Sequence, residues 1–235
     1  MKADVRRAVA LIRKDLLTER RSKAAFNAMA FFAAMVLFIF SFALGPDSPG
    51  MTAGAGQTLL QYLWPGLLWV AIFFTGVLAL SRSFQVEMES GGLEALRIYP
   101  GDKKAVYVGK LTANLITLAA MELILIPVSA ILYNIDLWTK IPALMGVILM
   151  GSLGFAAVGT FYAALTANLR ARDVMLPVLI FPVLVPIVVS AVKATTLVIR
   201  GDPMGEMWTW IRIMVLIDLV LLTVCTLTFE FAIED

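Results

Sequence analysis

The sequence contains no histidine and one cysteine, Cys225, which lies inside an apolar run. The first absence removes imidazole ligation of zinc, iron or haem, and with it any histidine proton relay. The second removes an internal disulfide and a thiolate metal cluster. Charge is scarce as well. Only 15% of residues are charged, where a soluble domain has about 25%, and 60% are hydrophobic, where about 45–50% is usual. No GxxxxGK[ST] run is present, and Val108-Gly109-Lys110 lacks a glycine-rich approach, so the chain offers no phosphate cradle of that kind. Ser/His/Asp and Cys/His constellations are impossible without histidine. The first 23 residues mix acids with bases and do not read as a signal peptide. These absences point away from an enzyme and toward a polytopic membrane protein, and no nucleic-acid partner is expected.

Six apolar stretches are each near the roughly 20 residues a membrane crossing requires. They fall near 25–44, 62–80, 105–133, 141–165, 174–199 and 207–229. Ahead of them, residues 4–22 place Val5, Val9, Ile12 and Leu16 at helical spacing among Arg6, Arg7, Arg13, Lys14, Arg20 and Arg21. That pattern predicts a basic amphipathic helix lying in the membrane interface against anionic lipid. Tyr62, Trp64, Trp69, Trp138, Trp208 and Trp210 read as interfacial anchors. An even number of crossings puts both termini on one side. Fifteen of the 19 lysines and arginines fall in the N-terminal segment, the stretch after the second span and the turn after the fourth, so that side is expected to be cytoplasmic. The expected fold is therefore all-α, a single transmembrane domain over 1–235 with six spans and an N-terminal interfacial helix.

The stretch from Arg82 to Lys104 is the one long charged island between apolar blocks. It reads as a cytoplasmic loop, broken at Gly91-Gly92, that bears a short helix over Leu93–Ile98 and ends at Pro100-Gly101. A helix docked in a partner's groove uses apolar anchors inside a polar rim. Here Leu93, Leu96 and Ile98 would be the anchors, and Glu87, Glu89, Glu94 and Arg97 the rim. Arg170, Arg172 and Asp173, in the turn TANLRARD, form a second candidate contact on the same side.

Within the spans, Glu122 and Asp218 are ionisable groups in hydrocarbon, a costly placement that marks either function or a polar link between helices. The fifth span carries Pro177, Pro182 and Pro186, and each removes a backbone hydrogen bond. The helix is expected either to act as a hinge or to hold a fixed bend. The fourth span sets Ser152, Ala156, Thr160 and Ala164 four apart, a spacing of small residues that lets helices approach closely.

The basic leading helix, the six spans and the pattern E-x-x-x-G-x-L-E-x-L-x-x-x-P after the second span resemble the membrane subunits of type-2 ABC exporters. RKDLLTERRSK (13–23), the segment from Leu68 to Lys110, and LTANLRARDVMLPVLIFPVLVPIVVSAVKAT (165–195) are closer still to the cytochrome c maturation permeases of the CcmB family. The resemblance implies a permease without its own ATPase, located in the bacterial inner membrane and present in two copies. Its implied partners are a CcmA-like ATPase, a CcmC-like haem-handling membrane protein, a CcmD-like single-span subunit and the CcmE-like haem chaperone. ATP would be bound by the partner ATPase and haem handled by the complex, with no cofactor held by this chain. Three other readings stay open on the residues alone, one of them a structural scaffold with no moving part. A generic type-2 export permease would have a substrate cavity near Glu122, and a secondary transporter would use Glu122 and Asp218 as proton sites.

Overall fold

The computed structural model describes residues 2–22, 24–44, 52–53, 57–89, 91–92, 102–167, 169 and 172–234. Among them are seven helices: α1 (Lys2–Ser22), α2 (Ala24–Ala43), α3 (Leu59–Glu89), α4 (Lys103–Leu132), α5 (Ile141–Thr166), α6 (Arg172–Arg200) and α7 (Met207–Glu234). The helices α2 to α7 are each long and apolar enough to cross a membrane, and they match the six expected spans. A two-residue antiparallel ladder, β1 (Thr52–Ala53) with β2 (Gln57–Thr58), sits between α2 and α3.

Local chemistry sets the helix ends. Asp102 caps α4, its carboxylate accepting from the Lys104 N–H at 2.9 Å. Asp202 accepts from the N–H groups of Glu206 and Met207 at the start of α7. α3 runs further than the sequence pattern suggested. Arg82–Glu89 belongs to the helix rather than to the loop, because no glycine or proline interrupts it before Gly91, and Gln85 bonds to Glu89 one turn on. Gly91 then takes a φ of 68°, a conformation suited to glycine, where the helical path ends.

α5 lies at the centre of the bundle. Ser152, Ala156, Thr160 and Ala164 are all buried, as expected for a close-packed stripe. A Cβ added at Gly151 would strike the Trp69 indole, and one added at Gly159 would strike Leu80. Polar side chains tie neighbouring helices together. Trp69 Nε1 donates to Thr195 Oγ1 at 2.9 Å, Asn114 Nδ2 to Thr160 Oγ1 at 2.9 Å, and Tyr107 Oη to the Ala157 carbonyl at 3.0 Å. At the end of the bundle remote from α1, the Arg200 guanidinium stacks 3.7 Å from the Tyr62 ring, and Gln61 reaches the Asn134 carbonyl.

α1 is docked and not simply laid on the bilayer. A Cβ on Gly109 would lie 3.2 Å from the Ala8 carbonyl oxygen and 3.2 Å from Leu11 Cβ, so the α1 backbone presses directly on α4. The apolar stripe read from the sequence therefore divides. Ile12 and Leu16 are half-buried, while Val5, Val9 and Leu17 stay exposed and available to lipid.

Candidate coupling site at the α1 end

The connection over 90–102 is anchored on one side by the last turn of α3 and on the other by the first turns of α4. Both anchors meet α1 through one buried charge cluster. Lys110 of α4 is 1% exposed. Its Nζ lies 2.9 Å from Asp15 Oδ2 on α1 and also contacts Glu87 Oε1 on α3. Glu87 is itself 1% exposed and accepts a further bond from Lys14 of α1. The Lys110 ammonium also sits 5.3 Å from the centre of the Phe84 ring.

Two cations and two carboxylates make this cluster formally neutral. Each buried charge costs several kcal/mol to desolvate, and only close, fully partnered geometry offsets that cost. The consequence is mechanical. Helices α1, α3 and α4 cannot separate at this level without exposing Lys110 or stranding Glu87, so the two ends of the connection are held together and held to α1. The arrangement contains no nucleophile–base pair and reads as a junction rather than a reaction centre.

The residues singled out from sequence fall in different places. Glu87 points inward, and its carboxylate is committed to Lys110 and Lys14 instead of to an outer rim. Glu89 is exposed and accepts from Gln85 Nε2 at 2.8 Å. Leu93, Glu94, Leu96, Arg97 and Ile98 lie outside the described residues, as does Arg170. Arg172 and Asp173 open α6, with side chains outside the description. Sequence reasoning missed Lys14, Asp15 and Lys110 as members of a site. A signal existed for Lys110, since it stands among Val106, Tyr107, Leu111 and Ala113 on the inward face of α4. A lysine so placed requires a carboxylate opposite.

The two intramembrane acids lie on different sides of α5. Glu122 of α4 accepts from the Ser152 hydroxyl. Asp218 of α7 lies against Gly154, where an added Cβ would meet its carboxylate, and its Oδ1 has no hydrogen-bond partner among the described residues. Pro177, Pro182 and Pro186 sit inside a continuous α6. Pro177 is half-buried and the other two are exposed.

Residues 6–235 match the family model described as CcmB protein. The chain is 28% identical over 211 residues to a Pseudomonas aeruginosa protein named heme exporter protein B, with 90% of each chain covered. It is 28% identical over 196 residues to the Rhodobacter capsulatus protein of that name, with 82% of each covered. Against the Escherichia coli K12 protein of the same name it is 29% identical over 185 residues, covering 78% of this chain and 79% of the other.

Proposed function

The chain belongs to the CcmB protein family, and on that premise we propose that it is the permease subunit of an ABC transporter complex for cytochrome c biogenesis in the bacterial inner membrane. Its part is to couple ATP hydrolysis by a partner ATPase to haem delivery and to release of the haem-loaded chaperone. The observation that carries this reading is the buried junction of Glu87, Lys110 and Asp15 at the two ends of the connection over 90–102. A push on that connection from the ATPase passes into α3, α4 and α1 together. Leu93, Leu96 and Ile98 dock in the ATPase groove, Glu89, Glu94 and Arg97 flank them, and Arg170, Arg172 and Asp173 provide a second contact on the same side.

The α1 end faces the cytoplasm, where the ATPase and its ATP are found, in keeping with the lysine and arginine bias. Two copies of the chain pair with two ATPase subunits. A CcmC-like membrane protein, a CcmD-like small subunit and the CcmE-like chaperone handle the haem. With no histidine in this chain, the commonest protein ligand of haem iron must come from those partners. The names of the relatives, heme exporter protein B, agree with this assignment.

The test is co-purification of the tagged chain in mild detergent. An ATPase subunit and a haem-containing membrane protein are expected with the wild type, and Leu96→Asp should lose the ATPase while the chain still accumulates in the membrane. Unchanged ATPase recovery and activity with Leu96→Asp would overturn the docking assignment.

A further inference from the structure

A half-open cleft lies where α1 passes over α2, α3 and α4. Its charged lining is mixed. Asp15 and Glu19 come from α1 and Arg82 comes from α3. Glu19 uses one oxygen, Oε1, to accept from the Phe26 N–H at the start of α2, at 3.0 Å. Arg82 makes no hydrogen bond or ion pair among the described residues, although a carboxylate lines the same cleft. Glu19 and Arg82 thus present opposite charges to one cleft from two different helices. Ser83 and Asn114 add hydrogen-bonding capacity, while Met29 and Ala79 give the cleft an apolar wall. The adjoining helix α2 presents Phe31, Met35, Phe38 and Phe42 outward, a surface fit for acyl chains.

We infer that this cleft is a binding site for the headgroup of a primary-amine zwitterionic phospholipid, with the phosphate on Arg82 and the ammonium on Glu19. Arginine recognises phosphate through a planar fork of donors. A primary ammonium carries three N–H donors for carboxylates, whereas a quaternary choline carries none, so the site discriminates between the two headgroups. A purely anionic headgroup would satisfy Arg82 but leave Glu19 without a cationic partner. The bound lipid would act as a wedge under α1, on the side of the junction away from the aqueous connection.

The test is native mass spectrometry of the full chain in mild detergent, titrated with phosphatidylethanolamine, phosphatidylcholine or phosphatidylglycerol of one acyl composition. One phosphatidylethanolamine should be retained at least about tenfold more tightly than either alternative, a preference of the size one charge-assisted contact supplies. Glu19→Gln keeps an acceptor for Phe26 N–H, so it should fold, and it should erase the preference for ethanolamine over choline. Arg82→Ala should weaken all three lipids. Equal retention of the three lipids by the wild type, or a preference unchanged in Glu19→Gln, would overturn the inference. Soluble glycerophosphoethanolamine separates the two sources of this chemistry. Weak competition is expected if the acyl chains contribute, and competition as strong as the intact lipid would overturn the lipid assignment.

Discussion

Acidic side chains are buried at two levels of this molecule, and they are buried differently. At the α1 end, Glu87 and Asp15 face Lys110 and Lys14. In the middle of the bundle, Glu122 has a serine hydroxyl and Asp218 has the backbone of Gly154, with no lysine or arginine paired to either among the described residues. The first arrangement fixes three helices in one geometry through charge. The second places a carboxyl where a charged form would lack a counter-ion. The contrast separates a charge-paired junction from a centre whose carboxyls have no paired cation among the described residues, and the two levels should respond very unequally to removal of charge.

The largest effect should come from Lys110→Met. It leaves Glu87 buried beside only the more exposed Lys14, and removing one partner of a buried pair costs about 3–5 kcal/mol. Denaturant-induced unfolding of the purified chain in mixed micelles measures this. Because Asp15 keeps some access to water, the companion change Glu87→Leu should restore more than half of the loss. A double variant as unstable as Lys110→Met alone would show that the junction's stability does not reside in the ion pair.

Glu122→Gln should do far less. The amide oxygen still accepts from Ser152, so the cost should stay within about 1 kcal/mol, whereas Glu87→Gln removes a charged partner from Lys110 and should cost about 1–3 kcal/mol. The same variant separates two functions. A coupling subunit retains cytochrome c maturation with Glu122→Gln, while a proton-coupled carrier loses it. Loss of activity with normal ATPase recovery would shift the reading toward proton coupling.

How much of this was legible in the sequence depended on the range of the interaction. The six spans were readable because apolar length is a local property, but two of the residues read as interfacial anchors, Trp64 and Trp69, are fully buried and bond to Ser129 and Thr195 on neighbouring helices. The stripe of small residues on α5 was readable because its spacing is local too. The junction was not, because Asp15, Glu87 and Lys110 are far apart in the chain and meet only once α1 folds back over α4. Glu87 and Glu89 look alike in the sequence. They differ in the structure because α3 continues past the expected end of the second span and its inward face carries Phe84 and Glu87, leaving Glu89 outside. The breaker expected at Gly91-Gly92 was placed correctly, and the eight residues before it gave no reason to stop a helix.

The smallest expected effect lies within the junction itself and sharpens the comparison further. Lys14 shares Glu87 with Lys110, but 47% of its side chain is exposed, against 1% for Lys110. Its ammonium is also 3.6 Å from Asp15 Oδ1. Two lysines on one carboxylate should therefore contribute very unequally. Water already solvates Lys14, and ordering its long side chain offsets much of the attraction, so Lys14→Ala should cost no more than about 1 kcal/mol. Salt distinguishes the two lysines independently of magnitude. Raising the ionic strength to about 1 M shortens the screening length to about 3 Å for charges in contact with water. The difference between wild type and Lys14→Ala should shrink under those conditions, while the penalty for Lys110→Met persists. Equal salt sensitivity for both variants would mean that water reaches Lys110, and the junction would then be a surface ion pair instead of a buried lock.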